Sequence, residues 1–159
     1  MPHIHVIVAM TRHHVIGKSG HLPWRLPADL HLFRQLTLGQ TLIGGRRTFA
    51  EIGHPLDGRL NLVLSRDADR VADLSPCRTI KEALAQAEEA GREIFCIGGA
   101  ELYRQMLPLA TWLHISWVEQ EYDGDVYFPD LNMSDWMETT CSQHPGFRHC
   151  TYQRRSACD

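Results

Sequence analysis

The sequence predicts an α/β fold: a central, mostly parallel β-sheet with flanking helices and an antiparallel hairpin at its carboxyl-terminal end. Three observations predict it. Short apolar runs alternate with stretches of helical period, each run ends in turn residues, and after Trp112 the helical stretches stop. In chain order, residues 4–9 form the first apolar run, a β-branched segment suited to a strand buried on both faces. Residues 10–26 follow without strand or helix periodicity. Residues 27–38 read as a helix, with Pro27 pre-set for the first turn, Leu30, Phe33 and Leu36 on one side, and Gly39 as the stop. Residues 41–44 give the second strand, with a helix beginning near Arg46 or Arg47, and residues 60–64 give the third. Residues 79–90 carry Ile80, Ala83, Leu84 and Ala87 as an apolar stripe closed by Gly91. Residues 94–97 form a further strand, and 99–107 a helix that Pro108 ends. Segments 112–118, 136–141 and 149–155 read as strands with no helix between them.

Composition bounds the function. A chain of 159 residues without a linker, repeat or low-complexity stretch is expected to be a single domain, 1–159. With 43% hydrophobic and 22% charged residues it has the balance of a soluble globular protein. No apolar run approaches the ~20 residues of a bilayer span. The formal charge of −3 argues against bulk attraction to nucleic acid. Residues 1–5 lack the basic and apolar regions of a secretory signal. Five cysteines (Cys77, Cys96, Cys141, Cys150, Cys158) are odd in number, with no Cys-x-x-Cys. That leads to the expectation of free thiols in a reducing, cytoplasmic setting, with Cys96 buried as a small hydrophobe. The ten histidines, His3 and His5 included, show no metal-ligand spacing and are expected at the surface or at edges; no metal is expected. Gly-x-Ser-x-Gly, His-Glu-x-x-His and Walker motifs are absent from the sequence.

Open α/β sheets bind ligands beyond the carboxyl ends of their strands, so candidate residues are sought there. The long segment after residue 9 contains Gly17, Gly20 and Pro23 and ends in the apolar Leu22-Pro23-Trp24; it reads as a binding loop or lid, or else as a surface connection. Asp29 is the only acid in the first fifty residues. In the first helical turn it suits the helix dipole, yet Leu32, Phe33 and Leu36 share its face, and a carboxylate against apolar residues needs a partner or shifts its pKa upward. Gly44-Gly45-Arg46-Arg47-Thr48 at one strand end and Ser65-Arg66 at the next pair flexible backbone with guanidinium forks, a combination suited to phosphate. Gly98-Gly99 allows either a tight turn or close approach of a pyrophosphate or nicotinamide. Arg59, in the turn signature Pro55-Leu56-Asp57-Gly58-Arg59, is either solvated or poised to hold a carboxylate.

These residues, together with Val15-Ile16-Gly17, Leu22-Pro23-Trp24-Arg25-Leu26-Pro27-Ala28-Asp29-Leu30, Phe49, Asn61, Leu64, Tyr103 and Asp125-Val126-Tyr127-Phe128-Pro129, resemble bacterial dihydrofolate reductase in order over nearly the whole chain. Only the part after Trp136 matches loosely, and its hairpin loop looks short. The resemblance implies hydride transfer from NADPH to the pterin of 7,8-dihydrofolate, giving tetrahydrofolate. Asp29 would bond the amidine edge of the pterin and promote protonation beside the carbon that receives the hydride. Ser116 would support it, standing where the family usually has Thr. Ile7, Phe33, Leu56 and Ile97 would line the pterin and benzoyl pocket, with Arg59 on the glutamate carboxylate. Residues 10–24 would form a mobile lid, Leu22 and Trp24 among the catalytic set, Leu22 shielding nicotinamide from water.

The cofactor would lie against Ala9, Ile16, Gly17 and Leu22. Its phosphates would be held by Gly45, Arg46, Arg47, Thr48, Leu64, Ser65 and Arg66, and further contacts would come from Gly98, Gly99, Ala100, Glu101, Leu102 and Tyr103. The Gly98–Gly99 peptide would be cis. The implied protein is a cytoplasmic monomer that binds dihydrofolate and antifolate inhibitors, not nucleic acid or membrane. Two features depart from the family pattern. Gly44 replaces a bulky apolar residue, so looser packing is expected beneath the cofactor. Glu101 stands where some members carry a basic residue near phosphate, with Arg66 as compensation. The alternatives are a related pyrimidine reductase, which Leu22-Pro23-Trp24, Asp29 and Arg59 disfavour, and a catalytically silent NADPH- or folate-binding protein.

Overall fold

A computed structural model describes residues 2–19, 22–65 and 75–156. The elements in chain order are β1 (Ile4–Thr11), β2 (Val15–Gly17), α1 (Pro27–Thr37), β3 (Thr41–Gly45), α2 (Arg46–Ile52), β4 (Leu60–Leu64) and β5 (Ser75–Cys77). They are followed by α3 (Ile80–Ala90), β6 (Ile94–Cys96), α4 (Ala100–Met106), β7 (Trp112–Val118), β8 (Val126–Tyr127), β9 (Trp136–His144) and β10 (Phe147–Arg154). Eight strands make one sheet in the order β5-β4-β3-β6-β1-β7-β10-β9. Pairing is parallel from β5 through β7 and antiparallel for β10 with both β7 and β9.

The sheet separates two apolar layers. On one side Ala83 and Ala87 of α3 and Leu102, Tyr103 and Met106 of α4 pack on Val6, Val8, Met10, Ile43, Leu62, Leu113 and Ile115. On the other, Phe33 and Leu36 of α1 and Phe49 and Ile52 of α2 pack on Ile7, Leu42, Val63, Phe95 and Ile97. Alternate residues of β1 thus serve opposite layers, as the pleat requires. Helix α3 begins where its sequence allows a cap: Thr79 Oγ1 accepts from the Glu82 amide at 3.1 Å, and Gly91 closes the helix in the left-handed region.

Four expectations are corrected. Strand β1 extends past residue 9, because Met10 and Thr11 pair with Trp117 and Val118 and are fully buried; the loop therefore begins after Thr11 and not at Met10. Inside that loop Val15–Gly17 forms a short strand on Val126–Tyr127, a pairing too brief for periodicity to reveal. Cys141 and Cys150 are not free thiols: they lie in direct antiparallel register, Cα atoms 4.2 Å apart, and form a disulfide. Cys77 and Cys96 are free and buried, as the sequence suggested for Cys96; Cys158 lies outside the described residues. Finally, His5, His114 and His149 are interior rather than surface histidines, on the sheet face that carries Ile7 and Ser116. Strands β9 and β10 turn directly through Pro145-Gly146, in line with the short hairpin expected.

Candidate active site

Asp29 lies in the first turn of α1, a helix that starts from Pro27 without a side-chain cap. Its partner comes from the sheet. The Ser116 hydroxyl of β7 donates to Asp29 Oδ1 at 2.5 Å. Ser116 is beside Ala9 of β1 in register, so the pair sits at the carboxyl ends of two central parallel strands. Burial is the largest influence on the Asp29 carboxyl and raises its pKa above the ordinary value; the Ser116 bond and nearby His144 pull the other way. A carboxyl tuned by opposing influences at the mouth of a sheet suits both acceptance of an amidine-like group and proton handling.

Ile7, Phe33, Leu56 and Ile97 meet in one apolar cluster beside α1. A cleft of about 400 Å³ runs outward from it, lined by Leu30, Phe33, Arg34, Ile52, His54, Leu56 and Arg59. Arg59 is not a loose turn arginine. Its Nη1 donates to Thr37 Oγ1 at 3.1 Å and its Nε to the Asp57 carbonyl at 3.0 Å, while burial and the neighbouring Arg34 push its pKa down. Two cations at the rim of an apolar cleft form a site for an anion such as a carboxylate. Asn61 builds this rim. Its Oδ1 accepts from the Leu56 amide and its Nδ2 donates to the carbonyls of Leu56 and Arg59, all at 2.9 Å.

A second cavity of about 420 Å³ opens across the sheet end, lined by Leu64, Ser65, Arg78, Thr79, Ile80, Glu101 and Gln105. Helices α2 and α4 begin from Gly45 and Gly99 with no side-chain cap, leaving first-turn amides available to an anion, and Arg46 and Arg47 are exposed beside them. The two glycine corners touch: the Gly45 amide donates to the Gly98 carbonyl at 2.8 Å, and a Cβ on Gly98 would fall 2.7 Å from the Tyr103 ring. The Gly98–Gly99 peptide is cis. Thr48 Oγ1 borders Gly99, and the buried Tyr103 hydroxyl donates to the Ile7 carbonyl at 2.8 Å. Ala100 and Leu102 belong to the first turn of α4. The Glu101 carboxylate faces the cavity but is paired with Arg104 and bonded by Gln105. Arg66 lies outside the described residues.

Gly44 does not loosen the packing. A Cβ there would come within 2.8 Å of Ile97 Cγ1 and 2.9 Å of the Phe49 ring, so those side chains already fill the space. The loop is anchored at both flanks. Trp24 is buried against Val15, Val118 and Tyr122, with Ala9 at the edge of that cluster, while Ile16 packs toward the main core. The Gly17 carbonyl accepts from the Asp125 amide at 3.0 Å. Exposed Leu22 donates its amide to Glu51 of α2 at 3.2 Å. Reasoning from residue types alone overlooks Ser116, Asn61, Arg78 and Gln105. For Ser116 a signal existed: His114 and Ser116 are polar at alternating positions of an otherwise apolar strand, which places both on one buried face.

The fold and site together define an α/β protein with two separate clefts and a carboxyl–hydroxyl pair, Asp29–Ser116, at the end of its sheet. The dihydrofolate reductase family profile matches residues 3–154. The chain is 44% identical over 131 residues to a dihydrofolate reductase of Haemophilus influenzae, covering 82% of this chain and 81% of that one. It is 39% identical over 143 residues to the type 3 dihydrofolate reductase of Salmonella typhimurium, covering 89% and 88%. Among solved structures it is similar to dihydrofolate reductase from Enterococcus faecalis complexed with NADP(H) and RAB-propyl, with a TM-score of 0.87, 29% identity and 97% of each chain covered. The chain belongs to the dihydrofolate reductase family.

Proposed function

We propose that this protein reduces 7,8-dihydrofolate to 5,6,7,8-tetrahydrofolate with NADPH, Asp29 aiding protonation of the pterin. The observation that carries this reading is the Asp29–Ser116 pair, a half-buried carboxyl held by a short bond at the carboxyl end of the central parallel strands. Asp29 grips the amidine edge of the pterin and favours a proton beside the carbon to be reduced, while Ile7, Phe33, Leu56 and Ile97 surround the flat ring system with apolar contacts. Arg59, aided by Arg34, takes the glutamate carboxylate at the outer end of that cleft.

NADPH supplies the hydride. The chain suits such a cofactor. The glycine corners at Gly45 and Gly98–Gly99 leave backbone within reach of a ligand, the uncapped starts of α2 and α4 offer amides, and Arg46, Arg47, Thr48 and Ser65 surround them. Leu22 and Trp24 act in the lid, Trp24 fixing its base and Leu22 excluding water from the reacting faces. The protein works as a single-domain cytoplasmic monomer open to antifolate inhibitors. Among the described residues no helix is long and apolar enough to cross a membrane.

The test follows NADPH absorbance during addition of dihydrofolate, comparing the wild-type protein with Asp29→Asn. Turnover is expected, with a loss at neutral pH of the ~10²–10⁴-fold that a positioned acid contributes. Absence of turnover in the wild type, or equal rates in the two proteins, overturns the reading.

A further inference from the structure

Behind the Asp29–Ser116 pair lies a third member. His149 of β10 is opposite Ser116 in register, and its Nδ1 is 3.0 Å from Ser116 Oγ. A serine hydroxyl has one proton, and with Asp29 ionised, an acceptor only, that proton goes to Oδ1, 2.5 Å away. Ser116 Oγ must therefore accept from His149, which places the ring proton on Nδ1. Among the described residues the other ring nitrogen, Nε2, is buried with no hydrogen-bond partner, so this side of the imidazole meets no competing donor or acceptor to turn it.

We propose that His149 is a positioning residue for the site acid: its Nδ1–H, given to Ser116 Oγ, turns the Ser116 proton onto Asp29 and holds that carboxylate as an acceptor. The assignment rests on the reading of Asp29 given above. The row has a sense of direction. If Asp29 carried a proton and gave it to Ser116, the Ser116 proton would have to point at His149 Nδ1, and the ring proton would move to the partnerless Nε2. The row is therefore paired throughout when Asp29 is ionised, and removing the His149 donor removes a preference for that state.

Among the described residues, few groups face His149. From β7 come Ser116 and the His114 ring, centroids 6.3 Å apart and nearly parallel; from β9 comes His144, which lies close enough to lower the His149 pKa further after burial has done so. From α1 comes Asp29, through Ser116. Beyond His114 stand His5, its Nδ1 2.9 Å from His114 Nε2, and Glu93, 3.1 Å from His5 Nε2.

The test is the pH dependence of dihydrofolate reduction in His149→Phe and His149→Asn, each checked by thermal melting. An asparagine side-chain amide reaches the place of Nδ1 and restores a donor, whereas phenylalanine fills the volume without one. In His149→Phe the midpoint of the pH profile is expected to rise by at least about half a unit, with kcat altered more than KM, while His149→Asn stays near the wild type. A residue that only fills space would lower the melting temperature without moving the midpoint. An unmoved midpoint in His149→Phe, or equal displacement in both variants, overturns the proposal. Independently, ring ¹⁵N resonances of the wild-type protein at neutral pH should show His149 protonated at Nδ1; protonation at Nε2 alone overturns it. Asp29→Asn serves as the control. If it is impaired while the His149→Phe midpoint stands still, only the role of His149 falls; if it is fully active, the acid and its positioning residue fall together.

Discussion

Single residues decide how tightly the apolar cluster beside α1 is packed. Gly44 is the clearest case, because its backbone is in ordinary strand conformation and only space forbids a side chain. Gly44→Ala is expected to destabilise by roughly 1–3 kcal/mol through displacement of Ile97 and Phe49, the penalty typical of an overpacked core. In a chain of this size each kcal/mol moves the melting temperature by about 2–4 °C, so a thermal melt detects it; an unchanged melt would mean that Ile97 has another rotamer to occupy. Asp29 was legible in the sequence because an isolated acid on an apolar helix face is anomalous. Asn61 was not: its importance lies in three bonds to backbone atoms, and nothing in residue type or spacing announces that a turn will need them. Arg59 falls between, visible as a cation in a turn but given its orientation by Thr37, a residue from another element.

Whole elements were legible in proportion to how much they bury. Strands β1, β3, β4, β6 and β7 and helices α1, α3 and α4 stood out because each is an apolar run or hides an apolar face. Strands β2, β5 and β8, three, three and two residues long, are too short to carry a period. The limits of the terminal hairpin were blurred for a different reason. Strand β9 ends the sheet, most of its residues are exposed, and its polar last residues, 142–144, carry no strand pattern. What ties this edge down is covalent. Cys141 and Cys150 are nine residues apart, and closing a loop of that size stabilises by about 2–3 kcal/mol in the chain-entropy account. Melting with and without a thiol reductant should differ by several degrees in the wild type and not at all in Cys141→Ser. Mass analysis after alkylation should find Cys77 and Cys96 as thiols and these two protected.

At the scale of the molecule, the buried histidines make stability depend on pH. Burial lowers the pKa of His5, His114 and His149, that of His114 to about 3. An unfolded chain takes up protons on these rings below about pH 6.5 that the folded protein refuses, so stability falls as pH drops from there. Asp29, raised by burial, works in the opposite sense, since the folded state binds its proton more readily, but it is one group against three. Urea midpoints measured from pH 7.5 down to 5.5 are expected to decline steadily. In His114→Asn the protein should be weaker at pH 7.5 and its decline shallower; a parallel decline would remove His114 from the account. None of this was readable from the histidine spacing, because the three rings meet only when β1, β7 and β10 lie side by side. The same neighbourhood has a practical consequence for engineering. Hairpin tips are ordinarily where a peptide graft or affinity tag does least harm. Here the tip is wired inward: Gly146 has φ +85°, a Cβ on it would press within 2.9 Å of Leu26 just ahead of α1, and its carbonyl accepts from the Glu119 amide. A graft at Pro145-Gly146 would reach the helix that carries Asp29, so fusions belong elsewhere on this scaffold.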